Sequence, residues 1–107
     1  DPALVFPPYG VYAARITYAG QCYDGVVNFG LKPTIGGEKA PLVEAHLFDV
    51  DIDLYGQTIK VYFGKFLRPE RRFEGLSQLQ AQLFADSLEA RAFLATIAAN
   101  YHLPKRI

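Results

Sequence analysis

The chain has 107 residues, a length that suits one domain around one core. Half of the residues are hydrophobic and 14% are aromatic, so the chain can bury a core, and its composition argues against global disorder. Eleven basic and eleven acidic residues cancel to a formal charge of zero, which argues against a general binder of polyanions such as nucleic acid.

The single cysteine, Cys22, cannot form an internal disulfide, so nothing indicates an oxidising compartment. We interpret it as a small apolar strand residue rather than a catalytic thiol, because free cysteines are usually buried. No apolar run approaches the ~18 residues that span a bilayer, and the first residues lack a signal-peptide pattern. These features predict a cytoplasmic protein with no membrane partner.

The first half of the chain predicts antiparallel strands. A Pro-rich lead-in over residues 1–10 precedes a strand at residues 11–18, and a glycine turn leads to a returning strand at residues 22–29. Gly25 inside that second strand indicates a bulge or a close backbone approach. Residues 30–40 contain three glycines and a proline and are predicted to form a loop.

Two further runs, at residues 42–48 and 58–63, alternate apolar and polar side chains and predict two more strands. Between them lie Asp49, Asp51 and Asp53, which we interpret as the acidic turn of a hairpin. A calcium loop that starts at Asp49 would need glycine at its sixth position and glutamate at its twelfth, and the chain has neither. The calcium interpretation therefore fails.

From Leu76 onwards the apolar residues repeat with a helical period. Ser77 and Asp86 each begin a capping pattern, in which a side-chain oxygen accepts a hydrogen bond from a free backbone N–H. The sequence therefore predicts two C-terminal helices, the second running towards Asn100. Short strands followed by helices favour a small antiparallel sheet or barrel with the helices at one end.

Glu44 is the first candidate for chemistry. It lies in the middle of a predicted strand, where glutamate is disfavoured, and shares its face with Leu42 and Phe48. Burial there would raise the pKa of its carboxyl group towards the range of a general base. A solvent-facing strand residue is an equally good interpretation of the pattern.

A basic segment at residues 67–73, LRPERRF, is the second candidate. It places Arg68, Arg71 and Arg72 beside the ring of Phe73. Arginines bind phosphate through paired hydrogen bonds and stack on flat rings. The alternative is a solvated basic turn before a helix.

Six segments in one order resemble the riboflavin kinase family, in the form found as the C-terminal part of bacterial bifunctional riboflavin kinase/FMN adenylyltransferases (FAD synthetases). Together they cover nearly the whole chain, so we take residues 1–107 as one riboflavin kinase-like domain. The segments are PPYGVYAARI (7–16), NFGLKPTIGG (28–37), LVEAHLFD (42–49), DLYG (53–56), LRPERRF (67–73) and SLEARAFL (87–94).

The resemblance implies a mainly β fold, a small antiparallel Greek-key β-barrel with C-terminal α-helices. It implies transfer of the γ-phosphoryl group of MgATP to the 5′-hydroxyl of riboflavin, giving FMN for FAD biosynthesis. ATP, Mg²⁺ and riboflavin would be the small molecules bound. An FMN adenylyltransferase domain in the same parent chain would be the protein partner, and nucleic acid would not bind.

The resemblance also implies roles for individual residues. Glu44 matches the family's catalytic base. The flavin-contacting segment falls on Arg68, Arg71 and Phe73, and no metal ligand is carried over. Nucleotide contacts would come from three further residues, Leu47, Asp49 and Tyr55.

One departure from the family concerns the start of the chain. In the family, a glycine- and arginine-rich flap and a P-T-A-N motif that helps to hold Mg²⁺ and phosphate precede the lead-in. Pro33 and Thr34 do not form this motif, since Gly36 stands where asparagine is needed. We therefore expect an N-terminally incomplete module whose exposed strand edge promotes self-association.

Two other functions stay open from the sequence. The chain could be a non-catalytic flavin-binding module or an inactive fragment of a FAD synthetase. It could also be an oligonucleotide-binding barrel that stacks bases on Tyr12, Tyr18 and Tyr23, although its neutral charge counts against that.

Overall fold

A computed structural model describes residues 7–54 and 56–97 of the chain. Tyr55 and Asn100, both named above, lie outside the described residues. Four strands are followed by one helix: β1 (Gly10–Tyr18), β2 (Gln21–Pro33), β3 (Lys39–Leu47), β4 (Lys60–Arg68) and α1 (Leu76–Leu94).

The four strands form one antiparallel sheet in the order β3-β2-β1-β4. Three strands are joined in sequence by hairpins, and the fourth returns to lie beside the first, which is the Greek-key arrangement. The mainly β, antiparallel Greek-key prediction is therefore confirmed. Within the described ranges the sheet stays open, because β3 and β4 form its two edges and do not pair with each other.

The predicted hairpin between the first two strands is confirmed. Ala19 and Gly20 both have positive φ, 51° and 79°, which is the geometry of a two-residue turn that matches the twist of the strands. Gly25 marks a close backbone approach, as predicted, because a Cβ atom there would overlap the carbonyl oxygen of His46 on β3. Cys22 lies in β2 as predicted, but its side chain is exposed rather than buried.

The loop predicted for residues 30–40 is wrong in extent. Strand pairing continues without a break from Gly25–Leu47 to Pro33–Lys39. Only residues 34–38 turn, closed by a 2.7 Å hydrogen bond from the Thr34 N–H to the Glu38 carbonyl. Cross-strand pairing thus outweighs the local preference of the glycines, which is a tertiary effect.

The hairpin predicted across the acidic turn is also wrong. Because β3 and β4 lie at opposite edges of the sheet, residues 48–59 connect those edges. β4 begins at Lys60, two residues later than predicted, and it ends at Arg68. Leu67 and Arg68 therefore belong to a strand, and the basic segment leaves the sheet only at Pro69.

One helix replaces the two that were predicted. Gly75 is the N-cap of α1 and makes no side-chain capping bond, and the helix continues through Asp86. Asp86 is 3% exposed and binds Arg68 of β4 instead of capping a second helix. None of the described helices is long and apolar enough to cross a membrane.

The core lies on both faces of the sheet. On one face, Tyr12, Ile16, Val27, Phe29 and Phe63 form an apolar cluster with Ala14 and Leu47. On the other face, α1 packs Ala90 and Leu94 against Ala13 and Phe48. The helix covers only part of its face of the sheet, and the side chains discussed next lie on the remainder.

Candidate active site

Four side chains form a row across the helix-bearing face of the sheet. Glu44 of β3 pairs with Asn28 of β2, Asn28 pairs with Val11 of β1, and Val11 pairs with Arg68 of β4. Residues paired in this way share a face, so the two sequence-predicted candidates, Glu44 and Arg68, lie on one side. Three strand spacings, about 14 Å, separate their backbones.

Glu44 is more exposed than a buried general base would be. Its side chain is 58% accessible to solvent, and its carboxylate lies 3.7 Å from the Lys32 ammonium of β2. The burial considered from the sequence is therefore wrong, and the solvent-facing interpretation is correct. An accessible carboxylate in a strand can still meet a substrate hydroxyl group directly.

Lys32 connects Glu44 to the basic segment. Its ammonium donates a 2.9 Å hydrogen bond to Oε2 of Glu70, which follows β4. This bond raises the pKa of Lys32 above its ordinary value, partly offset by burial, and the charges of Glu70 and Glu44 raise it further. The ammonium therefore bridges two carboxylates from opposite sides of the site.

Glu70 also touches the backbone of β2. A Cβ atom at Gly30 would overlap the Glu70 carboxyl group, so only glycine leaves room for this contact. Gly30 lies between Asn28 and Lys32 on the same face of the strand. The segment after β4 is in this way folded back onto the strand that neighbours Glu44.

Arg68, expected to contact flavin, is engaged in a structural ion pair. Its Nε and Nη2 atoms donate to Asp86 of α1 at 2.9 and 2.8 Å, and Gln82 donates to the same carboxylate at 2.9 Å. The side chains of Arg68 and Asp86 are 16% and 4% exposed. This pair fixes the end of β4 against the helix.

Two guanidinium groups lie close to the ring of Phe73. The Cζ atom of Arg71 is 4.7 Å from the centre of the ring, and that of Arg68 is 5.8 Å away. Arg71 is oriented by a 2.7 Å hydrogen bond to Oε1 of Gln82. The three residues predicted to contact flavin are therefore brought together, on a platform suited to a flat ring.

Leu47 and Asp49, two of the residues expected to contact the nucleotide, line different cavities. Leu47 is 6% exposed and packs in the core, and it lines a cleft of about 890 Å³ along the free edge of β3. Asp49 instead lines a second cavity of about 520 Å³ and accepts two hydrogen bonds from Arg91, at 3.0 and 3.1 Å. These bonds, and the charge of Arg91, lower the pKa of Asp49.

The larger cleft reaches Glu44. Its walls are the edge of β3, the connecting segment with Ile52, Leu54 and Ile59, and the start of β4 with Lys60. Glu44 lines this cleft and also faces Lys32 on the other side. It therefore stands where the cleft meets the surface that carries Lys32 and Glu70.

Asn28 and Lys32 were missed by the sequence analysis. The Oδ1 atom of Asn28, directly across from Glu44, is buried and has no hydrogen-bond partner in the described part of the chain. Both residues lie in the segment interpreted as the end of a strand and a loop. Alternation continued from residue 22 would have placed both of them on one face with Gly30.

The described residues contain no group of three or more His, Cys, Asp or Glu side chains that could hold a metal ion. Mg²⁺ is usually held by one or two carboxylates together with substrate phosphates and water. The described side chains therefore do not form a metal cage of their own.

A family model described as Flavokinase: Riboflavin kinase matches residues 1–94. The chain is similar to three proteins named bifunctional riboflavin kinase/FMN adenylyltransferase. The identities are 37% with that of Bacillus subtilis (strain 168), 44% with that of Escherichia coli (strain K12) and 39% with that of Pseudomonas fluorescens. The alignments cover 89%, 83% and 86% of this chain, but only 31%, 28% and 30% of the relatives.

The fold is similar to that of a solved structure described as a macrolide-efflux protein from Streptococcus pneumoniae. The TM-score is 0.72 at 31% identity, over 81% of this chain and 28% of that chain. The likeness supports the antiparallel fold described above. Since the family model covers most of the chain and three relatives exceed 35% identity, the chain belongs to the riboflavin kinase family.

Proposed function

We propose that the chain is a riboflavin kinase module, which transfers the γ-phosphoryl group of ATP to the 5′-hydroxyl of riboflavin and so forms FMN. The observation that carries this proposal is the position of Glu44, which lines the cleft along β3 and also faces Lys32, the partner of Glu70 in the segment that leads to Phe73. A donor in the cleft and an acceptor on the surface that carries Lys32 and Glu70 would meet at this carboxylate. Membership of the riboflavin kinase family supplies the identity of the two substrates.

In the proposed reaction Glu44 is the general base. It accepts the proton of the 5′-hydroxyl as the hydroxyl oxygen bonds to the γ-phosphorus, while the bond from that phosphorus to the β,γ-bridging oxygen breaks and ADP leaves. Positioning of the two substrates supplies most of the rate. The accessible side chain of Glu44 supports this role, because the hydroxyl must come within hydrogen-bond reach of it.

On the flavin side, the ring system would stack at Phe73, beside Arg71 and near Arg68. The arginines hold the Phe73 ring in place by their contacts of 4.7 and 5.8 Å. Because Arg68 is already bonded to Asp86, we assign it to shaping this surface and Arg71 to the more direct contact.

On the nucleotide side, we keep Leu47, Asp49 and Tyr55 as proposed contacts. Leu47 would contribute through the edge of β3, since its side chain is in the core. Asp49 would have to release Arg91 or act together with it. Mg²⁺, expected for this family, would be held chiefly by the phosphates, in keeping with its usual coordination.

A non-catalytic flavin-binding module is the second candidate. It is favoured by one observation, that the flavin platform at Phe73 is assembled whereas Leu47 is buried and Asp49 is bonded to Arg91. The oligonucleotide-binding alternative is weaker, because Tyr12, one of its three stacking residues, is 5% exposed and packs against Phe63 and Phe66.

The test is to detect FMN by chromatography after the chain is incubated with riboflavin, ATP and Mg²⁺. We expect FMN in proportion to protein, and a loss of at least about a hundredfold in Glu44→Gln, which keeps size and removes the base. Glu38→Gln, an exposed carboxylate in the turn after β2, is the matched control. An active Glu44→Gln variant would contradict the base assignment, and flavin quenching without FMN would favour the binding module.

Three further assignments belong to this proposal. We propose a cytoplasmic location, and an FMN adenylyltransferase domain as the partner in the same parent chain, as the names of the relatives suggest. We also propose self-association through the edges of the sheet, β3 and β4. Sedimentation at several concentrations tests the last point, and a stable monomer would contradict it.

A further inference from the structure

We propose that Lys32 is a positioning residue for Glu44: it draws the Glu44 carboxylate towards the flavin side of the site and is itself held in place by Glu70. The inference rests on the proposed function, because it assigns Lys32 a role relative to the base. It adds a residue that was not assigned from the sequence.

The contacts around Lys32 hold its ammonium beside Glu44. The Lys32 ammonium is oriented by its 2.9 Å hydrogen bond to Glu70. The Glu70 carboxyl group in turn packs on Gly30, in the space that a Cβ atom would occupy. Glu44 is 3.7 Å from the same ammonium, an ion-pair distance that leaves both of its oxygens able to accept a hydrogen bond from a substrate. Lys32 therefore restrains the Glu44 carboxylate and leaves its oxygens available to accept a hydrogen bond from a substrate.

The two arginines of the flavin platform are bonded to other groups. Arg68 is bonded to Asp86, and Arg71 is bonded to Gln82. Among the residues that the structure describes, Lys32 is the cation within 4 Å of the Glu44 carboxylate. The groups that face Lys32 are Glu44 from β3 and Glu70 from the segment after β4.

The net charge of Glu44, Glu70 and Lys32 also favours this role. With Glu44 and Glu70 ionised, the two carboxylates and the ammonium carry one net negative charge. Without the ammonium they would carry two, next to a site that must admit a polyanionic phosphate donor. When Glu44 takes the substrate proton, the group becomes neutral, so repulsion of the moving phosphoryl group falls as the reaction proceeds.

The ammonium of Lys32 faces both carboxylates, Glu70 at 2.9 Å and Glu44 at 3.7 Å. A structural role and a positioning role differ in what they predict. A positioning role predicts that Lys32 senses the charge of Glu44, and that its loss changes the rate of the chemical step more than the affinity for flavin.

The first test titrates Lys32 in the 107-residue chain by NMR of ¹³Cε-labelled lysine, with the signal assigned through its loss in Lys32→Arg. We expect Glu44→Gln and Glu70→Gln each to lower the Lys32 pKa, because each removes a negative charge beside the ammonium. Glu38→Gln, in the turn between β2 and β3, is the control and should leave it unchanged. If Glu44→Gln also leaves it unchanged, the proposal is overturned.

The second test measures FMN formation by Lys32→Met, Lys32→Arg and a control, Lys39→Met, which removes a charge from the opposite face of the same hairpin. We expect kcat to fall about tenfold in Lys32→Met with the KM for riboflavin changed less than about twofold, and Lys32→Arg to recover most of the rate. A fall confined to KM, or no difference from Lys39→Met, would overturn the positioning role.

The two tests separate the inference from the proposed function. The titration needs no substrate, so it decides whether Lys32 and Glu44 are coupled even where no FMN forms. Absence of FMN from the unaltered chain would instead count against the kinase proposal.

Discussion

The carboxylate of Glu70 lies directly on the backbone of Gly30, where any side chain on residue 30 would displace it. Through this contact the segment that follows β4 is seated on β2, one strand away from Glu44. The same carboxylate bonds Lys32. Gly30 and Lys32 thereby join β2 to the segment that follows β4.

The first prediction tests this contact with Gly30→Ala. The new Cβ atom must push the Glu70 carboxylate away from β2, and with it the Lys32–Glu70 bond. Because only the end of one flexible side chain has to move, we expect a loss of about 1 kcal/mol in the free energy of unfolding. Quenching of flavin fluorescence should weaken in parallel. Urea unfolding and a riboflavin titration measure the two effects.

Gly36→Ala is the matched control for that variant. Gly36 lies in the turn between β2 and β3, and a Cβ atom there would meet nothing within 4 Å. We expect its free energy of unfolding to stay within about 0.5 kcal/mol of the original. Equal effects of the two substitutions would show that the Glu70 contact has no energetic role.

The second prediction concerns the ion pair between Arg68 and Asp86. Replacing Asp86 with asparagine leaves the guanidinium without its counter-charge in a site where both side chains are largely buried. We expect a loss of about 3 kcal/mol in the free energy of unfolding, the lower end of the range for breaking a buried pair. Urea denaturation measures it.

A surface pair on the same helix provides the comparison. Glu89 binds Lys65 at 3.2 Å, with both side chains about half exposed. Glu89→Gln should therefore cost less than about 1 kcal/mol. If Asp86→Asn proved as mild as Glu89→Gln, Arg68 would be free to serve a ligand rather than the fold.

These residues also show how far the sequence predicts the structure. Aromatic and β-branched residues correctly predicted β1 and the first part of β2, and alternation of side chains correctly predicted β3, because local pattern and burial agree there. The glycines at residues 30, 36 and 37 suggested one long loop. Of these three, only Gly37 adopts a positive φ, 84°. Gly30 is in a strand because it pairs with Leu42 across β2 and β3, and its missing side chain leaves room for the Glu70 carboxylate.

Some residues of the candidate site could be predicted from the sequence and others could not. Glu44 and Phe73 were predicted from residue type and from the family resemblance, since both carry recognisable patterns. Lys32 and Asp86 could not be predicted, because their roles depend on partners 38 and 18 residues away. The capping pattern at Asp86 is a local signal that a long-range ion pair outweighs.

The third prediction is a dependence of stability on pH at Asp49. Hydrogen bonds from Arg91 hold the pKa of Asp49 below its ordinary value of 3.8. The ion pair therefore stabilises the fold above pH 3.8, and this contribution is lost as the pH falls through the lower pKa of the folded state.

Asp49→Asn tests this, because asparagine tolerates the positive φ of 63° at this position. We expect the variant to be less stable near neutral pH and to lose less stability between about pH 4 and pH 2 than the original chain. Asp51→Asn, in the exposed connecting segment, is the control. Thermal unfolding across that pH range measures the effect. The prediction would be contradicted if Asp49→Asn and the original chain lost the same stability as the pH falls.

The fourth prediction concerns the flavin platform. Phe73→Leu keeps an apolar side chain but removes the flat ring that stands 4.7 Å from the Arg71 guanidinium. If flavin stacks there, its dissociation constant should rise about tenfold, or about 1.4 kcal/mol, which is within the range of aromatic stacking. Fluorescence quenching of riboflavin measures the constant.

Phe84→Leu is the matched control for Phe73→Leu, because Phe84 is 65% exposed on α1 and belongs to neither core cluster. Its riboflavin affinity should stay within about twofold of the original. Equal affinities of the two variants would place the flavin away from Phe73, most directly in the cleft along β3. Glu44 would then receive both substrates from the same side, and the role of Lys32 as a link to the flavin surface would have to be reassigned.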